Sequence, residues 1–188
     1  MGAGIAFVQA SRGISTVLKD VSLEKADAGK AYSAKLTQTR VDNGRMSEED
    51  QTQVLGRIQT TDRVQDLSGC DLIIEAVFEN RELKAKVTQE AEPILAEDGF
   101  FASNTSTLPI SGLATASAAP EKFIGLHFFS PVDKMKLVEI IRGKQTSDDT
   151  VARAFDYVQA IGKLPIVVND SRGFFTSRVF GTFVLEGA

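Results

Sequence analysis

Apolar and polar positions change their spacing repeatedly along this chain, and each change marks an element. The run CDLIIEAVF (70–78) is almost continuously apolar, as in a strand buried on both faces of a parallel sheet. Shorter runs at ISTVLKD (14–20), FFASNTS (100–106), KFIGLHFF (122–129), KLVEII (136–141) and LPIVVND (164–170) predict further strands. The polar stretch 22–58 reads as helical, broken at Gly44 and resumed at Ser47, which forms a capping box with Asp50. Residues 79–97 return to helical spacing. TSDDTVARAFDYVQAIG (146–162) predicts another helix, with Thr146 and Asp149 as capping box and Gly162 as its stop.

Strands separated by helices predict an α/β protein with an open, mostly parallel sheet. The exception lies around His127, where two strands share a loop too short for a parallel crossover and so pair antiparallel. A hairpin centred near Asp133 sets His127 opposite Glu139, with Cβ atoms about 4.5–5.5 Å apart. Glu139 sits between Val138 and Ile140, where an unpaired carboxylate is costly, and a facing imidazole supplies the partner. Histidine titrates near neutral pH, and a carboxylate behind it fixes the tautomer and stabilises the imidazolium. The pair predicts a general base with its orienting partner, as alcohol oxidation by hydride transfer requires.

The opening MGAGIAFVQASRG bears on the hydride acceptor. Reading Gly2 as the last glycine of a dinucleotide-binding fingerprint puts Asp20 at a strand end, near the ~20-residue spacing of the ribose-binding acid. Asp20 favours NAD over NADP, because a carboxylate accepts both ribose hydroxyls and repels a 2′-phosphate. On this reading the fold is a doubly wound, Rossmann-like sheet whose first strand lies ahead of Met1. The tail SRGFFTSRVFGTFVLEGA resumes helical character, which predicts a nucleotide domain over 1–169 and the start of an all-helical domain over 170–188.

Composition narrows the classes. Apolar residues are 43% and charged residues 24% of 188, and the net charge of -4 argues against nucleic-acid or membrane-surface partners. The single Cys70 excludes an internal disulfide and reads as a buried structural thiol. One Cys and one His are too few for a closed zinc site. Asn104-Thr105-Ser106 matches the glycosylation pattern, here by chance. No signal peptide and no apolar run near ~18 residues is present, which fits a reducing, cytoplasm-like compartment.

The motifs MGAGIA, DLIIEAVFEN, FASNTSTLPIS, GLHFFSPVDKMKLVEII and GKLPIVVNDSRGFFTSR together resemble the L-3-hydroxyacyl-CoA dehydrogenase family across essentially the whole chain. The sequence style is most similar to the dehydrogenase portion of multifunctional fatty-acid-oxidation α subunits. The resemblance implies NAD-dependent oxidation of (S)-3-hydroxyacyl-CoA to 3-ketoacyl-CoA. It implies His127 as base, Glu139 as its partner, and Ser106 on the reacting oxygen of the substrate. Glu79, Lys84 and Asn104 then fall on the cofactor side, and Ser33 and Arg40 against the CoA moiety. Ser177 stands where many members carry an asparagine. A homodimer, or a place in a multifunctional β-oxidation complex, follows by the same resemblance. Two readings compete: a short-chain 3-hydroxybutyryl-CoA dehydrogenase, and a non-catalytic remnant that keeps the fold as an interaction module. The 188 residues alone are expected not to form a stable NAD-binding monomer, with Phe174, Phe175, Phe180 and Phe183 left uncovered.

Overall fold

The structure, a computed structural model, describes residues 1–187. It divides into two compact units, one of Met1–Ser68 with Ser130–Lys136, the other of Gly69–Phe129 with the chain from Leu137 onward.

The first unit runs α1 (Gly2–Ser11), β1 (Thr16–Lys19), α2 (Leu23–Asp42), α3 (Glu48–Gly56) and β2 (Ile58–Thr61). Helix α1 is apolar nearly all round and buries Ile5, Phe7, Val8 and Ala10, as a core helix must. Close packing requires glycine at Gly4, where a Cβ would lie 2.9 Å from the Cβ of Val132. At Gly2 a Cβ would make only an ordinary contact, 3.9 Å from Leu18. Ser47 caps α3 as expected, accepting from the Asp50 amide at 3.0 Å, and Gly44 turns at a φ of 65° before it. The helices expected within 22–58 are present, but strand β2, which begins where that stretch ends, is not expected from the sequence. IQTT is short and polar, and its pairing with β1, parallel from Thr16↔Ile58 to Lys19↔Thr61, is what makes it a strand.

The second unit holds β3 (Leu72–Glu75), α4 (Arg81–Ala91), β4 (Phe100–Ser103), α5 (Ile110–Leu113), β5 (Phe123–Phe128), β6 (Leu137–Arg142), α6 (Asp148–Ala160), β7 (Leu164–Asn169) and α7 (Thr176–Glu186). Its five-stranded sheet is ordered β3-β4-β5-β6-β7 and is parallel except at β5–β6. This is the mostly parallel, Rossmann-like sheet with one antiparallel pair. Every residue of β5 is buried. Gly125 is required there, because a Cβ would lie 2.7 Å from Ile110 and 2.9 Å from the Cβ of Ile141.

Three local expectations are corrected. The apolar run 70–78 yields only a four-residue strand whose burial alternates, so one face of β3 is covered more fully than the other. The cap of α6 is Ser147, which accepts from the Thr150 amide at 3.2 Å. The Thr146 hydroxyl instead donates to the Phe123 carbonyl at 2.7 Å, fastening the helix entry to β5. Cys70 is partly exposed rather than buried. Gly162 follows α6 at a φ of 73°, as its role of stop requires.

Candidate active site

The hairpin register brings the proposed pair together. His127 and Glu139 are directly opposed on β5 and β6, and His127 Nδ1 donates to Glu139 Oε2 at 2.7 Å. Glu139 has no solvent exposure. Burial alone would raise its pKa, but hydrogen bonds from His127, the Thr176 amide and hydroxyl and the Phe175 amide together hold it below the ordinary carboxylate value. An ionised carboxylate can only accept, so in the neutral imidazole Nδ1 is the nitrogen that carries the proton and Nε2 the one with the lone pair.

The other half of this arrangement comes from the start of α7. Phe175 and Thr176 donate their amides to Glu139 Oε1 at 3.0 and 2.8 Å, and the Thr176 hydroxyl donates to Oε2 at 2.9 Å. The positive end of a helix thus faces a buried anion. Gly173 (φ 73°) and Phe174 (φ 48°) turn the chain through the left-handed region to aim these groups. Phe174 is 2% exposed, its ring centroid 6.0 Å from that of His127, so the expectation that it lies uncovered is overturned. The hydroxyl on Glu139 belongs to Thr176, whereas Ser177 is exposed in the same helical turn.

A second cluster forms where β3 and β4 end. Lys84, 1% exposed, donates to Glu75 Oε1 and Oε2 at 2.9 and 3.1 Å and to the Asn104 carbonyl at 3.1 Å. Ser103 also donates its hydroxyl to Glu75. Glu79 Oε1 receives the Thr105 hydroxyl at 2.6 Å, the Ser106 amide and hydroxyl at 3.1 and 3.3 Å, and the Thr107 amide and hydroxyl both at 3.0 Å. Burial opposes ionisation of Glu79, but the bonds from Thr105 and Thr107 and the nearby Lys84 charge outweigh it and lower its pKa. Glu79 therefore shapes the loop that carries Ser106, which is itself exposed. Asn104 Oδ1 accepts from the Phe128 amide at 3.0 Å, tying that loop to the residue after His127. Asp170 accepts the Ile110 and Ser111 amides at 2.8 and 2.7 Å, fixing the start of α5 beyond the loop.

In the first unit, Asp20 follows β1 and is exposed, with Oδ1 accepting the Val21 amide at 2.7 Å. Gly2 opens α1, whose first turn holds no acidic side chain, a suitable end for a diphosphate. These features fit a dinucleotide. Ser33 is another matter. It is fully buried in α2 with its hydroxyl unpartnered, so it has no surface to offer a CoA in this structure. Arg40 stacks its guanidinium 5.0 Å above the Phe7 ring. Among the described residues no group of three or more His, Cys, Asp or Glu is placed to hold a metal ion, and no helix is long and apolar enough to cross a membrane.

Sequence reasoning missed Glu75, Ser103, Thr176 and Asp170. Glu75 carried the same signal that exposed Glu139, a carboxylate inside an apolar run (IIEAV). Thr176 carried none, because its role depends on where α7 is docked.

Comparison with known proteins places the chain in a family. A family model described as 3-hydroxyacyl-CoA dehydrogenase, NAD binding domain, matches residues 1–171. The chain is 42% identical over 189 aligned residues to the fatty acid oxidation complex subunit alpha of Psychrobacter arcticus, covering 98% of this chain and 26% of that protein. It thus spans about a quarter of the length of that curated relative. Among solved structures, (S)-3-hydroxybutyryl-CoA dehydrogenase from Ralstonia eutropha superposes with a TM-score of 0.95 at 38% identity, covering 99% of this chain and 66% of that one. 3-hydroxybutyryl-CoA dehydrogenase from Escherichia coli gives a TM-score of 0.95 at 31% identity, covering 99% and 39%.

Proposed function

The chain belongs to the 3-hydroxyacyl-CoA dehydrogenase family, whose NAD-binding domain it carries, and from that premise we propose that it oxidises (S)-3-hydroxyacyl-CoA to 3-ketoacyl-CoA in fatty-acid β-oxidation. The observation that carries this reading is the buried His127–Glu139 pair, which leaves Nε2 as a base. NAD, when bound, supplies the hydride acceptor. His127 Nε2 takes the C3 hydroxyl proton as the carbonyl forms, and the ionised Glu139 stabilises the resulting imidazolium. Ser106 donates to the oxygen at C3. Asp20 accepts the adenosine ribose hydroxyls, Gly2 opens the helix end that meets the diphosphate, and Asn104 and Glu79 border the cofactor. Lys84, by contrast, is buried with its ammonium protons already used and supports Asn104 from behind. The role of Arg40 against the CoA moiety and that of Ser177 near the catalytic pair rest on resemblance alone.

The assignment to β-oxidation rests on the 42% relative. A short-chain role is the second reading, because two close structural relatives are named for 3-hydroxybutyryl-CoA. Residues 170–188 are read as the beginning of a C-terminal helical dimerisation domain, and the compartment as cytoplasmic. The test is reduction of acetoacetyl-CoA against 3-ketohexadecanoyl-CoA, followed by NADH consumption. Turnover of the long-chain substrate supports β-oxidation, and turnover of acetoacetyl-CoA alone supports the short-chain reading. No turnover of either by a folded preparation that binds NAD supports the binding-module alternative.

A further inference from the structure

Glu75 is a buried carboxylate that the proton transfer above does not use. It closes β3 and is 4% exposed, beside the almost fully buried Lys84. The two bonds from Lys84 to Glu75, with its bond to the Asn104 carbonyl, account for all three ammonium protons. Asn104 is consequently held at three points. Its amide donates to the Glu75 carbonyl at 2.8 Å, its carbonyl accepts from Lys84, and its Oδ1 accepts from the Phe128 amide. In one direction Asn104 leads to Ser106, and in the other it grips the neighbour of His127.

We propose that Glu75 is a positioning residue for the reaction: by holding Lys84 in place it fixes Asn104, and through Asn104 it sets both the Ser106 loop and the His127 end of β5. A buried ammonium has a defined direction only while its counter-charge is present. Removal of the carboxylate leaves the buried ammonium with only the long contact to Glu79, which does not hold it in place, so Lys84 swings away from the Asn104 carbonyl. Lys84 also lies 3.8 Å from Glu79 Oε2, so the same displacement loosens the carboxylate that receives the 105–107 donors. The catalytic part of this proposal rests on the dehydrogenase reading, whereas the anchoring of the loop does not.

The experiment is hydrogen exchange on the cofactor-free full chain, comparing wild type with Glu75→Gln, alongside kcat. The amides of residues 104–107 and Phe128 are expected to exchange at least about tenfold faster, with the remaining chain unchanged. The rate kcat is expected to fall by roughly 10–10²-fold, the scale that misplaced catalytic groups produce. If Glu75→Gln does not fold, the double variant Glu75→Leu/Lys84→Met serves, since replacing a buried ion pair by apolar residues of similar volume is often neutral for stability. The same local exchange change is expected there. Unchanged exchange at these amides in a folded variant overturns the proposal, as does a uniform rise across the chain, which is what a purely structural role gives. A wild type without turnover refutes the dehydrogenase reading but leaves the exchange result to decide the anchoring.

Discussion

His127 has two ring nitrogens, and Glu139 holds one of them at 2.7 Å, so the chemistry falls to the other. Replacing His127 by Gln is expected to lower kcat by roughly 10²–10⁴-fold, the usual contribution of a general base, with little change in the dissociation constant for NAD. Stopped-flow turnover with fluorescence titration of NAD measures both, and a variant keeping half the wild-type kcat would remove His127 from the role of base. Thr176→Val deletes one of the donors to Glu139 while keeping the shape. The variant is expected to lose about tenfold in kcat, in line with one hydrogen bond to a charged group. Asp20 belongs to the same scale. With its carboxylate exposed after β1, Asp20→Ala should narrow the preference for NAD over NADP in kcat/KM. Equal use of both cofactors by the wild type would count against Asp20 as the ribose-binding acid.

Helices and strands act here through their ends. Helix α7 directs its first amides at Glu139, and the loop after β4 directs its amides and hydroxyls at Glu79. Both carboxylates have lowered pKa values in the folded state. Their stabilisation is therefore complete above the unfolded value of about 4.3 and is lost as pH falls through the lower folded values. Thermal melting should show Tm flat above about pH 5 and falling below about pH 4, more shallowly in Glu139→Gln than in wild type. A Tm that falls equally in both would mean that Glu139 contributes nothing to the acid limb. At β5, Gly125→Ala forces a Cβ against Ile110 and Ile141. It is expected to cost about 1–3 kcal/mol in urea unfolding, as overpacking of a dense core does.

Among the described residues, both sheets end in strands with a partner on one side only, and α7 leaves apolar surface exposed. Strands β1 and β3 each have a hydrogen-bonded neighbour on one side only, and α7 exposes Val179, Phe180, Phe183 and Val184, with Phe183 77% exposed. Unpaired edges and a contiguous apolar helix face both favour association. The 188 residues expressed alone are expected to sediment as oligomers or aggregates. A cooperative monomer whose Tm rises with NAD would show that neither surface needs a cover.

The sequence by itself determined the α/β class, most elements, and the opposition of His127 and Glu139. Strand alternation and a short hairpin loop fix the register locally, so the pairing follows from arithmetic along one stretch of chain. It also held a legible signal at Glu75, in the same form as at Glu139. What only the tertiary structure decided were contacts between segments distant along the chain. Thr176 reaches Glu139 because α7 docks there, Glu79 gathers the 105–107 loop, and β2 is a strand because β1 pairs with it. Ser33 is buried and Phe174 covered for the same reason. Hydrophobic periodicity reports which face of an element turns inward, but which partner that face meets depends on packing, which no local pattern records.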